Sequence, residues 1–176
     1  MKHFISRRNF LKAAGVTAAA SAMAAAVPQA SAGFLTGKDA AVTILYTNDV
    51  HTYIDNKSPK LTYAAIAAMK QGYVDEGKPV LLVDAGDHIQ GTAYGSMDDG
   101  ATIIELMNEA GYDIATPGNH EFDYGMARAK AIIKEADFPY VSCNWVDLRT
   151  GLRVLPAVKL FPAGGKWIAF VGITTP

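Results

Sequence analysis

Three short polar clusters in this sequence hold residue types that bind divalent cations. Asn48-Asp49-Val50-His51, Asp84-Ala85-Gly86-Asp87-His88-Ile89-Gln90-Gly91 and Pro117-Gly118-Asn119-His120-Glu121-Phe122-Asp123 each follow an apolar run. Together they contain every histidine beyond residue 32. Carboxylate, imidazole and amide oxygen donors suit manganese, iron, zinc or a similar divalent ion. Brought together, their carboxylates repel one another unless a cation sits between them. Two such ions about 3.5–4 Å apart can clamp an in-line displacement at phosphorus. Asp87 is the natural bridge, because one carboxylate can serve two ions. Each cluster alone also reads as turn chemistry: Asn-Asp and Gly-Asp favour turns or caps, and Gly118-Asn119 suits a bend with positive φ. Three clusters at equivalent strand ends, holding all those histidines, favour a site.

The elements between the clusters are what must bring them together. Val42–Thr47 is β-branched and apolar and reads as a buried strand. Pro79–Val83 is a second apolar strand, Asp113–Thr116 a short third, and Tyr140–Cys143 a fourth. Leu61, Ala65, Ala68 and Met69 recur at helical spacing after Pro59. Ile103, Ile104, Met107 and Ala110 form a second helical stripe that Gly111 stops, and Met126, Ala129, Ile132, Ile133 and Ala136 a third. Strands separated by helices imply right-handed crossovers and an α/β fold with a mostly parallel sheet. In such sheets ligands bind beyond the carboxyl ends of the strands, where all three clusters fall. Val154–Leu160 and Trp167–Gly172, joined around Gly164-Gly165, read instead as an antiparallel hairpin.

Length and charge bound the function classes. The 176 residues are half apolar and 19% charged, with a net charge of −1, which fits one globular domain plus a tail. No basic surplus exists to hold a nucleic-acid polymer by counterion release. A single cysteine, Cys143, excludes an internal disulfide and reads as a small buried strand residue. Residues 1–32 hold four of the 16 basic residues (Lys2, Arg7, Arg8 and Lys12) and none of the 17 acidic ones, so the remainder nets −5.

That basic segment is an address. Residues 13–27 are uncharged and alanine-rich, and Ala30-Ser31-Ala32 is the small-x-small pattern of a cleavage site, placing the cut after Ala32. The apolar run of about 15 residues is short of the ~20 needed to cross a bilayer, so no stable membrane anchor is expected. Ser6-Arg7-Arg8-Asn9-Phe10-Leu11-Lys12 resembles the twin-arginine signal. The resemblance implies the twin-arginine export machinery as a partner and a periplasmic or extracellular destination. Residues 33–41 read as a lead-in and 42–176 as the N-terminal portion of an α/β domain.

Asp49-Val50-His51, Gly86-Asp87-His88-Ile89-Gln90-Gly91 and Gly118-Asn119-His120-Glu121-Phe122-Asp123-Tyr124-Gly125 stand in the order and spacing of the calcineurin-like metallophosphoesterases. Residues 42–176 resemble that superfamily, and within it the exported 5′-nucleotidases and 2′,3′-cyclic phosphodiesterases. Ser142-Cys143-Asn144 is similar to a further family pattern. The exported thiohydrolases built on the same scaffold carry a G-H-W-E-F-like third motif, which this sequence lacks. The resemblance implies a four-layer α/β/β/α sandwich and hydrolysis of nucleotide or other phosphoesters by attack of a water that two metals activate. It implies Asp49 and His51 as ligands of the first metal, Asp87 as the bridge and Asn119 as a ligand of the second. His120 faces the phosphoryl group in that pattern, and Asp123 orients its imidazole. Asp84 and Gln90 support the ligands from behind, Gln90 by fixing its loop. His88 stands at a variable position and reads as loop lining, and Glu121 as a structural contact beside His120.

The same resemblance implies further histidine-bearing segments and a nucleoside-binding domain downstream, so the substrate-binding residues stay unknown. No histidine follows His120. The expectation is an N-terminal portion of the sandwich with its later strands missing and a second metal site that is incomplete. A non-catalytic metal-binding fragment, or a chain completed by a complementing C-terminal polypeptide, are the alternatives.

Overall fold

The structure is a computed structural model that describes residues 41–54 and 62–175. The signal segment, the lead-in up to residue 40, Pro59 and Leu61 lie outside the described residues. All described elements fall within the compact unit Ser31–Pro176.

The chain begins with strand β1 (Thr43–Thr47), followed by helix α1 (Tyr63–Asp75) and strand β2 (Val80–Asp84). A short helix α2 (Ala93–Ser96) and helix α3 (Ala101–Ala110) lead to β3 (Ile114–Ala115). A 3₁₀ turn (His120–Phe122) and helix α4 (Met126–Glu135) precede the hairpin strands β4 (Val158–Ala163) and β5 (Lys166–Val171). β1, β2 and β3 form a parallel sheet in that order, with Thr47 opposite Asp84 and Asp84 opposite Ala115. The three strand ends that carry the polar clusters therefore share one edge.

β2 is central, and its apolar run is buried on both faces, as a covered parallel strand requires. Leu82 faces a core of Ile103, Ile104, Met107 and Ile132 from the helices. Leu81 faces the other way, against Ile114, Val141, Phe161 and Ala163. The sheet is thus sandwiched between a helical layer and the β4–β5 hairpin.

The stripe Ile103, Ile104, Met107 and Ala110 is buried, and Gly111 ends α3 in the left-handed conformation at φ 77°. The α1 face differs from expectation. Ala65, Ala68 and Met69 are exposed, and Tyr63 and Ile66 point inward. The Thr62 hydroxyl accepts the Ala65 N–H at 3.2 Å and sets the helical phase. The larger side chains then take the core because alanine has little surface to bury. Lys70, on the inward side, reaches Asp113 at 2.6 Å, whose carboxylate also accepts the Leu82 N–H at 2.7 Å, pinning α1 to the sheet.

The expected fourth strand is reduced to one bridge, Ala115 to Tyr140. Beyond it Ser142 donates to the Pro156 carbonyl and Cys143 to the Gly172 carbonyl through their backbone N–H groups, so the segment leaves the ladder. Cys143 is partly exposed rather than a buried strand residue. The hairpin is antiparallel, but β4 starts four residues later than Val154. Gly164 and Gly165 adopt φ of 58° and 74°, the paired positive values of a two-residue turn, so pairing runs up to Ala163 opposite Lys166. Val154 instead donates to the Trp145 carbonyl, next to the Val146–Arg153 bridge. Cross-strand partners share a face. Phe161 and Ile168 face the sheet, whereas Val158–Val171, Leu160–Ala169 and Pro162–Trp167 face outward, with Trp167 71% exposed.

Candidate metal centre

The loops after β1 and β2 are laced together by their backbones. Asp49 donates to the Gly86 carbonyl at 3.1 Å and His51 to the Asp87 carbonyl at 3.0 Å. This lacing holds three nearby residues in the left-handed region: Asp49 (φ 53°), His51 (47°) and Thr52 (57°), with Asp87 at 60° opposite them. A β-branched residue there is strained, and such residues persist only where the surroundings fix them. Thr52 is fully buried, and its hydroxyl accepts the Thr92 N–H at 2.6 Å. Glycines permit the close approach. A Cβ on Gly91 would fall 2.1 Å from the His51 carbonyl oxygen, and one on Gly118 2.3 Å from Asp87 Oδ1.

His51, Asp87 and His120 each direct a donor atom into one spot, with all three atoms within 4.8 Å of one another. His51 Nδ1 donates to the Gln90 carbonyl at 3.1 Å, which leaves Nε2 as a lone-pair donor. That Nε2 lies 3.6 Å from Asp49 Oδ1. The Asn48 amide donates to the other Asp49 oxygen. Asp87 Oδ1 accepts the His120 backbone N–H at 2.8 Å. His120 Nδ1 donates to Asp123 Oδ2 at 2.7 Å, and its ring meets that of His51 edge-on, 4.9 Å between centroids. The hydrogen bond to Asp123 raises the His120 imidazole above its ordinary range, and the charges of Asp123, Asp87 and Glu121 act in the same sense.

The structure therefore gathers His51, Asp87 and His120, with Asp49 joined through His51. Asn119 is exposed at the head of the 3₁₀ turn beside His120, and its side chain makes no capping bond. Gln90 holds His51 through its backbone carbonyl rather than its side chain. The donor set fits a cation. Among the described residues no lysine or arginine forms an ion pair with Asp49 or Asp87.

Beneath the donors lies a buried polar layer. Asp84 is 3% exposed; its Oδ1 accepts the Gly86 N–H at 2.8 Å and the His88 Nδ1–H at 2.7 Å, and its Oδ2 accepts the Thr47 hydroxyl at 2.5 Å. His88 is fully buried, not loop lining as its position suggested, and its Nε2 meets the Tyr140 hydroxyl at 2.8 Å. Burial alone would lower this imidazole. The neighbouring charges of Glu121 and Asp84 override it and push it up to about 9. Glu121, 2% exposed, accepts the Asp87 and Gly118 N–H groups on Oε2 and the His88 N–H on Oε1. No spacing in the sequence marks His88 and Glu121 as members of one network, because the bonds that join them to each other and His88 to Tyr140 span more than 30 residues.

Ser142-Cys143-Asn144 ties the far end of the chain to this edge. Asn144 Oδ1 accepts the Thr174 N–H at 2.9 Å, and the Thr174 hydroxyl donates to the Gly118 carbonyl at 3.3 Å.

Comparison with known proteins identifies the family and the fold. Residues 42–173 match the family described as Calcineurin-like phosphoesterase, and residues 5–27 match the twin-arginine translocation pathway signal sequence. The 5′-nucleotidase of Bos taurus is 37% identical over 151 residues, covering 76% of this chain and 26% of that protein. Protein UshA of Salmonella pullorum is 32% identical over 171 residues, covering 94% of this chain and 31% of that protein. The crystal structure of the 5′-nucleotidase precursor from Thermus thermophilus superposes with a TM-score of 0.67 at 29% identity, covering 77% of this chain and 29% of that one. The chain spans about a quarter of the length of the curated 5′-nucleotidases it matches. It carries an export signal, and no helix among the described residues is long and apolar enough to cross a membrane. Its parallel sheet, crossover helices and converging strand-end loops are the N-terminal part of a calcineurin-like phosphoesterase fold, and the chain belongs to that family.

Proposed function

We propose that this chain serves a metal-dependent phosphoric ester hydrolase of the 5′-nucleotidase type, working in the periplasm or outside the cell on nucleotide phosphomonoesters. The observation that carries the reading is the convergence of His51, Asp87 and His120 on one spot at the strand ends. Asp49, His51 and Asp87 would hold one divalent ion, and Asp87 with Asn119 would hold a second; manganese, zinc and iron all suit these donors. Such ions supply the charge that makes water a nucleophile near neutral pH and that neutralises phosphoryl oxygens.

The residues of the chain do the rest. Asp123 holds the Nδ1 proton of His120, so the Nε2 edge of the ring is the one that meets substrate. Kept protonated by that carboxylate, Nε2 donates to the phosphoryl group and stabilises the leaving oxygen as its bond to phosphorus breaks. Water's oxygen bonds to phosphorus, and the departing alcohol leaves with a proton. Glycines 86, 91 and 118 keep the loops close enough for this grouping.

A second reading is favoured by the donor count. Asp49, His51 and Asp87 would serve one ion, but Asp87 and Asn119 would offer a second only two donors, whereas ions of this kind take about four to six. On that reading the 176 residues bind a cation without turning over substrate. Manganese-dependent phosphate release from AMP by the purified chain separates the two. Release that His120→Ala abolishes while Mn²⁺ binding persists supports the hydrolase. Binding without any release supports the second reading.

A further inference from the structure

We propose that Glu121 is a positioning residue for the cation site, clamping the Asp87 loop to the Asn119–His120 loop, with the buried imidazole of His88 bracing it from behind. The inference rests on the reading of Asp87 and Asn119 as cation donors and adds the device that sets their separation. The two loops come from different strands and have no ladder of their own at this point. Glu121 joins them through one oxygen: Oε2 accepts the Asp87 N–H at 2.8 Å and the Gly118 N–H at 2.6 Å. These are the backbone groups of one donor and of the residue immediately before the other. Oε1 accepts the His88 N–H at 2.9 Å.

A carboxylate buried to 2% needs its charge compensated and its lone pairs filled. His88 does both from the side facing away from the site. Its Nδ1 stands 3.5 Å from Glu121 Oε1 and 2.7 Å from Asp84 Oδ1. Its Nε2 is held by the Tyr140 hydroxyl at 2.8 Å, so the ring cannot turn away. The bracing pair thus reaches back to Tyr140, in the segment that bridges to β3.

Glu121→Gln tests the clamp, because it keeps the volume but not the acceptors. Every backbone partner of this side chain is a donor, so an amide must aim its NH₂ at one of them whichever way it is turned. Mn²⁺ binding is measured by isothermal titration on the purified full chain, with thermal unfolding in EDTA as the measure of fold. Glu121→Gln is expected to weaken Mn²⁺ about 10–100-fold, the range seen when the supports of metal ligands are removed. In the ¹⁵N spectrum the Gly118 and Asp87 amides, downfield through their bonds to a carboxylate, should move upfield. Ile132→Val, which trims an α4 side chain of the helical core and leaves the hydrogen bonds of Glu121 intact, should lower the unfolding temperature and leave Mn²⁺ affinity unchanged.

A folded Glu121→Gln chain with wild-type Mn²⁺ affinity overturns the proposal, and so does an equal loss of affinity in Ile132→Val. Should Glu121→Gln fail to fold, Tyr140→Phe decides: it frees only His88 Nε2, and the proposal stands if Mn²⁺ affinity falls several-fold and is overturned if it does not. A wild-type chain that binds no Mn²⁺ overturns the site reading along with it. Binding by the wild type with no effect in either variant overturns the clamp alone.

Discussion

Gly118→Ala is the sharpest test of how the site is built, because the conflict it creates is local and measurable. A Cβ at residue 118 falls 2.3 Å from Asp87 Oδ1, 2.7 Å from Asp87 Cγ and 2.9 Å from the Asp87 nitrogen, against 3.4 Å for an ordinary contact. Relief needs about 1 Å of movement. Rotating the Asp87 carboxylate away breaks its bond to the His120 N–H, and a hydrogen bond to a charged group contributes about 1.5–3 kcal/mol. The contact with the backbone nitrogen remains after that rotation, so the loops must also part, at an overpacking cost of about 1–3 kcal/mol. Together the two components are enough to weaken a cation bound through Asp87 at least tenfold, since about 1.4 kcal/mol is a factor of ten. Isothermal titration with Mn²⁺ reads the affinity, and thermal unfolding in EDTA reads the fold, expected to melt at least about 5 °C lower. An alanine chain with the wild-type melting temperature and wild-type Mn²⁺ affinity refutes the packing described for Asp87 and Gly118.

Two further outcomes follow from the charges. Asp123→Asn should bring the His120 imidazole back down toward the usual histidine range, because the hydrogen bond to Asp123 is the main cause of its elevation; ring ¹H–¹⁵N titration in EDTA measures it, and an unmoved midpoint refutes that cause. His88, pushed up to about 9 when folded against about 6.5 unfolded, should contribute stability that is complete below about pH 6.5 and lost as pH rises through about 9, on the order of 3 kcal/mol; urea unfolding of metal-free protein at pH 6 and pH 9.5 should show the fall, and His88→Gln should flatten it.

Much of the site was legible because its residues are local. Asp49 and His51, or Asn119, His120 and Asp123, sit within a few positions of one another, and parallel strands oblige their loops to share an edge. The α3 stripe was equally clear, since its large aliphatic side chains recur without a break. What escaped the sequence depended on contacts that only the folded chain brings together. His88 is distinguished from a loop residue only by Asp84, Glu121 and Tyr140 closing around it. Glu121 acts through an acceptor pattern that no spacing encodes. α1 was misphased because alanines mark a helix without saying which side is buried. Tyr140–Cys143 looks like a strand by composition, but its backbone partners after the first bridge come from Pro156 and Gly172.

The hairpin that covers one face of the sheet turns an oily side to water, with Leu160 53%, Val171 62% and Trp167 71% exposed. Exposed apolar surface of this kind promotes self-association without any unfolding. In the 176 residues handled alone, a charge placed at Trp167 is therefore expected to lower self-association, which light scattering reads.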